Sequence, residues 1–132
     1  MTTKAPRIWI GSLLVIACLS LGGCVKIGNS SSTCEAGQTC SCDGIGNCDL
    51  TCPDGDCVLV CSGIGNCLFD CGGGACDVAC GGSGNCFLDC PGGDCDMTCT
   101  GTGNCVIETC AEGCTQDCQN TGNCICTEGC PL

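Results

Sequence analysis

Cysteine supplies 24 of the 132 residues, so the chemistry open to this chain is first of all thiol chemistry. A thiol can form a disulfide, bind a soft metal ion as thiolate, or attack a substrate when a base activates it. Activation by histidine is excluded, because the chain contains none. Ser/His and Cys/His pairs are therefore absent, and no phosphate-binding signature occurs. The short-spaced pairs typical of thiolate metal sites are also scarce. There is no C-x2-C, and the only C-x-C pairs are Cys40/Cys42 and Cys124/Cys126. Disulfide formation needs only partners within reach and an oxidising compartment.

The second chemistry is that of carboxylates. All fourteen Asp and Glu lie beyond residue 30, while Lys4 and Arg7 sit in the first ten. From residue 24 onward Lys26 is the only cation, which leaves thirteen net negative charges. Such a balance argues against nucleic acid and anionic lipid surfaces, which reward positive charge. Asp70, Asp89 and Glu108 recur 19 residues apart, and Asp77 and Asp96 do the same. Carboxylates stacked in a column repel one another, and calcium would relieve that repulsion. Paired carboxylates can also do acid–base work, but a narrow scaffold offers them no pocket, so no enzymatic activity is expected.

The elements that would position these groups follow from a repeat of 19 residues. Cys48, Cys52, Cys57 and Cys61 are spaced C-x3-C-x4-C-x3-C-x5, and Cys67, Cys71, Cys76, Cys80 and then Cys86, Cys90, Cys95, Cys99 repeat the spacing without error. The next unit, Cys105, Cys110, Cys114, Cys118, moves one cysteine from the expected Thr109 and keeps the period. Both ends are irregular: Cys34, Cys40 and Cys42 precede the array, and Cys124, Cys126 and Cys130 close it. Regular middle units with irregular ends suit a stacked repeat, whose end units must cap the core.

Each C-x-h-x-C stretch predicts a short strand, on which alternate residues share a face. Leu50, Leu59, Phe69, Val78, Leu88, Met97 and Ile107 then occupy one central inward slot, and Gln116 breaks the pattern once. The intervening Gly-x-Gly-Asn and Pro-Asp-Gly-Asp or Pro-Gly-Gly-Asp segments carry turn chemistry. Two short strands and two turns per 19-residue rung predict an all-β, disulfide-rich parallel β-solenoid of about five rungs. Equivalent residues become columns. Asn47, Asn66, Asn85, Asn104 and Asn123 form an asparagine ladder in which stacked amides can bond one another. Leu68, Phe87, Val106 and Ile125 form an outward apolar stripe, a candidate face for a protein partner or for self-association. Within a rung, Cys52 can reach Cys57 across one turn and Cys61 can reach Cys48 across the other; bridges between rungs are geometrically open as well.

The leader has Lys4 and Arg7, then an apolar run from Ile8 to Leu21, too short for a membrane span. It ends in Leu21-Gly22-Gly23-Cys24, which resembles the lipobox of bacterial lipoproteins. The resemblance implies lipidation of Cys24, cleavage before it, and attachment to the membrane through that lipid. It also implies a cell-envelope location. Because Val25 rather than Asp follows, it further implies the outer membrane, with the protein facing the periplasm or the surface. Residues 1–23 then form the signal helix, 24–33 a flexible Gly/Ser tether, and 34–132 the solenoid. With Cys18 removed and Cys24 lipidated, 22 cysteines remain, enough for eleven disulfides.

The solenoid pattern resembles small disulfide-laced β-helices such as insect antifreeze proteins, in architecture alone, since their regular threonine arrays are missing. Gly81-Gly82-Ser83-Gly84-Asn85-Cys86 resembles the calcium-binding β-roll repeat, except that Cys86 stands where that repeat places its liganding Asp. The expected role is structural or binding, without cofactor. The competing role is a thiolate metal-sequestering lipoprotein, for which metallothioneins are the comparison. Those need neither an apolar slot nor a fixed period.

Overall fold

The computed structural model describes residues 23–26, 29–119 and 121–131, so the expected signal helix lies outside the described residues. Among the described residues twelve strands follow one another: β1 (Gly23–Lys26), β2 (Ser30–Thr33), β3 (Thr39–Cys42), β4 (Cys48–Thr51), β5 (Val58–Cys61), β6 (Cys67–Asp70), β7 (Asp77–Cys80), β8 (Cys86–Cys90), β9 (Asp96–Cys99), β10 (Cys105–Cys110), β11 (Thr115–Cys118) and β12 (Cys124–Cys126). Odd-numbered strands stack into one six-stranded sheet and even-numbered strands into a second. Every pairing is parallel. This is the parallel β-solenoid that the 19-residue period predicts.

The two sheets face each other across a core to which each contributes one file of inward side chains. Leu50, Phe69, Leu88 and Ile107 stack on the second sheet, and Leu59, Val78 and Met97 on the first; all are buried. Cysteines fill both margins, and among the described residues no polar or charged side chain is buried. All twenty-two cysteines from Cys34 onward are disulfide-bonded, each to its neighbour in the sequence. Cys52–Cys57 forms as expected. Cys61, however, joins Cys67 rather than Cys48, and Cys48 joins Cys42. The reason is the climb of the chain. Cys61 comes six residues before Cys67 and thirteen after Cys48, so it has already risen about two thirds of a rung and lies nearer the next layer.

A disulfide enters the core slot near each end of the stack. Cys40 is in register with Leu59, and Cys126 with Ile107, so each takes the place of the central apolar residue. The disulfide Cys34–Cys40 thus runs from the margin into the core slot beneath β1, whose Cys24 is in register with Cys40, while Cys126–Cys130 runs into the slot at the other end and covers it. Gln116, in register with Met97, does the same by polarity: its Nε2 donates to the Cys105 carbonyl oxygen at 3.1 Å.

The stretch 24–33, expected as a tether, contributes β1 and β2, which stack on β3 and β4. A ladder is made by backbone groups, so a Gly/Ser-rich segment can join it without apolar side chains. The unit with the displaced cysteine is equally explicable. In β10 the register shifts between Ile107 and Thr109, so Glu108 is an extra residue and Cys110 still faces Cys90. The following turn is one residue shorter, which restores the period.

The tight turns use left-handed backbone. Gly55, Gly74 and Gly93 have φ of 77°, 79° and 78°, and each is followed by a second left-handed residue: Asp56 (59°), Ala75 (53°) and Asp94 (56°). Asp adopts this conformation at less cost than Ala, whose side chain cannot bond locally. At the opposite corner, a Cβ on Gly65 or Gly84 would overlap the carbonyl oxygen of Gly46 or Gly65 one rung below. Ala75→Gly is therefore expected to stabilise the protein by about 1 kcal/mol, and Gly84→Ala to destabilise it. Guanidinium melts with the disulfides intact measure both. A lower midpoint for Ala75→Gly would contradict the assigned turn.

Candidate interaction surface

The strands of the second sheet present their outward residues in two columns. The first runs Ser31, Asp49, Leu68, Phe87, Val106, Ile125 in unbroken register. Its last four members are the apolar stripe, with Leu68 45% and Ile125 49% exposed and Phe87 and Val106 half-buried. The second column runs Thr33, Thr51, Asp70, Asp89, Thr109. Glu108 does not share it, because the extra residue in β10 puts Thr109 opposite Asp89, and the Thr109 hydroxyl donates to the Asp89 carboxylate. The expected column Asp70–Asp89–Glu108 is thus two carboxylates closed by a threonine.

Glu108 still borders the same surface. Between the columns lies a groove of about 260 Å³ whose walls include Leu68, Phe87, Asp49, Asp70, Asp89 and Glu108. Among the described residues, no three carboxylates bring oxygen atoms within 4.8 Å of one another; the only such groups of three ligand atoms are sulfurs, as at Cys52, Cys71 and Cys76. Those sulfurs are already engaged in disulfides.

The first sheet is different outside. Val58, Asp77, Asp96 and Thr115 form one column and Val60, Ala79, Thr98 and Asp117 the other. The Asp77/Asp96 pair is present here too, and Thr115 donates to Asp96, but no run of large apolar residues accompanies it.

The asparagine ladder holds the corner that leads into the second sheet. Each side-chain Oδ1 accepts the backbone N–H of the asparagine one rung on: Asn47 to Asn66 at 3.1 Å, Asn66 to Asn85 at 3.1 Å, Asn85 to Asn104 and Asn104 to Asn123 at 2.9 Å. The bonds run from backbone to side chain, not between amides. Asn29 begins the ladder, accepting from Asn47 at 2.8 Å, and was hidden because β2 is offset by 18 residues rather than 19. Sequence reasoning also missed Ile45 and Ile64, 76% and 60% exposed and bridged to each other at the Gly-x-Gly corner. Their column continues as Ser83 and Thr102, so the period alone gave no apolar signal.

No protein-family model, curated protein or solved structure matches this chain. What the chain does has to follow from its own surface.

Asn85→Ala removes the acceptor of the Asn104 N–H and is expected to cost about 1–3 kcal/mol. Hydrogen exchange should quicken first at the Asn104 amide; unchanged protection there would remove the ladder's structural role. Millimolar calcium is expected to leave the melting temperature unchanged, since Thr109 takes the third place in the acidic column. A rise in melting temperature that Asp89→Asn abolishes would reinstate the calcium site.

Proposed function

We propose that this chain is a lipid-anchored, non-catalytic protein of the bacterial envelope, whose solenoid presents a binding face held away from the membrane. One observation carries the binding role: among the described residues, the long run of large apolar residues in register on an outer sheet face, Leu68, Phe87, Val106 and Ile125, exposed at its two ends and half-buried between them, occupies the even-numbered strands β6 to β12, while Ser31 and Asp49 take the same column in β2 and β4. Cys24, the residue of the lipobox-like motif, lies in β1 at the opposite end of the stack. A lipid on Cys24 would therefore sit at the proximal end, and the apolar stripe would begin two rungs out, roughly 10 Å away.

The covalent pattern supports a rigid presenter over a catalyst. Every cysteine from Cys34 onward is consumed in a disulfide, and no acid, base or nucleophile among the described residues is buried. A second reading, metal sequestration by thiolates, draws on the gathering of sulfur atoms from neighbouring rungs, such as Cys71, Cys90 and Cys95 within 4.8 Å. That reading requires the reduced protein.

Membrane fractionation and intact mass separate these readings. The wild-type protein is expected in the membrane fraction with a lipid-sized mass increment on a chain beginning at Cys24. Cys24→Ser should move it to the soluble fraction. Alkylation should modify twenty-two cysteines only after reduction. Membrane retention of Cys24→Ser would remove the anchor; thiols alkylated without reduction, with bound zinc or copper, would put metal sequestration first.

A further inference from the structure

Among the described residues Lys26 is the only cation, and it lies in β1, at the far end from the stripe. Among the described residues, the carboxylates beside the stripe consequently have no counter-charge near them. Asp70 and Asp89 stack directly, two residues along the strand from Leu68 and Phe87, with Asp49 and Glu108 on the same groove. A partner that covers the apolar column must bring positive charge to its flank. A second copy of this chain would bring acid against acid, and an anionic lipid surface would be repelled likewise.

The spacing of the column limits the partner's conformation. Rungs repeat at about 4.8 Å, so Leu68, Phe87, Val106 and Ile125 span about 14 Å along the stack. An α-helix laid along that axis returns a side chain to the same face once per turn, about every 5.4 Å, and covers the four positions in about 16 Å. An extended strand returns one about every 6.8 Å and needs about 20 Å for the same four contacts. The helix stays close to register over the whole stripe, and the strand slips by more than a full rung. The acidic column lies about 7 Å to the side of the apolar one, within the width of a helix. We infer that the outer face of the second sheet is a receptor for a basic amphipathic helix of about three turns, seated with its apolar residues on Leu68, Phe87, Val106 and Ile125 and its lysines or arginines on Asp70, Asp89 and Glu108. This rests on the binding role proposed above and names the partner's chemistry.

The test uses the oxidised protein and three synthetic peptides of about fifteen residues, four helical turns. One carries leucine at every third or fourth position with lysine along one flank. The second has the same composition with two central prolines that break the helix. The third has glutamate in place of lysine. The lysine helix is expected to bind the wild type, and the other two peptides to bind at least tenfold more weakly. Phe87→Ser, and separately Asp70→Asn with Asp89→Asn, should each weaken the lysine helix about tenfold or more. Asp77→Asn with Asp96→Asn makes the same charge change on the first sheet and should leave binding unaltered. Mass after alkylation and circular dichroism verify that each variant retains its disulfides and strands.

Equal binding of the proline-broken peptide would overturn the helical partner. Equal weakening by the first-sheet variant would reduce the effect to net charge and overturn the site. Failure of all three peptides to bind would overturn the inference, while the anchor would still stand or fall on fractionation of Cys24→Ser.

Discussion

The stacking distance between rungs is the constraint on which the molecule depends. Parallel strands hydrogen-bond at about 4.8 Å, and every part of the chain has to repeat at that spacing, corners included. In the corners the strands are interrupted, but backbone bonds such as Ser83 N–H to the Gly63 carbonyl and Asp56 N–H to the Gly74 carbonyl still join neighbouring rungs, and side chains add to them. Asparagine Oδ1 atoms accept backbone N–H groups along one edge. At the same corner the Gly-x-Gly backbones approach so closely that a methyl group has no place, as at Gly65 and Gly84. Outward residues come into columns for the same reason, which is how isolated residues such as Leu68 and Phe87 combine into a surface.

The interior contributes less than in most domains. Among the described residues, seven large apolar side chains, four in file on one sheet and three on the other, do not by themselves offset the entropy of ordering some hundred residues. Eleven disulfides supplement them, but each closes a loop of only four to six residues. By the loop-entropy relation such a bridge contributes about 2 kcal/mol, near the low end of the usual range. The bridges therefore fix the corners, and the backbone ladders hold one rung to the next. Near the two ends Cys40 and Cys126 replace the aliphatic residue that an inner rung would carry, and Cys126–Cys130 has the additional task of shielding the core slot.

Much of this was legible in the sequence because period and alternation are enforced by geometry. The central slot from Leu50 to Ile107, the break at Gln116 and the outward stripe at Leu68, Phe87, Val106 and Ile125 all follow from counting residues. Counting fails wherever the chain adds or drops one. Glu108 left the acidic column because β10 bulges, and Asn29 was missed because its rung is a residue short. The partner of Cys61 was misjudged because residues in one repeat lie at different heights. The segment 24–33 has a linker's composition, yet backbone bonding brings its two ends into the sheets.

The order of the disulfides bears on how the protein is made. Each cysteine bonds to the next one along the chain, from Cys34–Cys40 to Cys126–Cys130, and no bridge encloses another. A chain delivered end-first to an oxidant can therefore close every bridge from cysteines that have already emerged, with no need to reserve a thiol for a distant partner. The same topology lets rungs be gained or lost in evolution without rewiring those that remain, so the height of the rod can change while its connectivity rule does not.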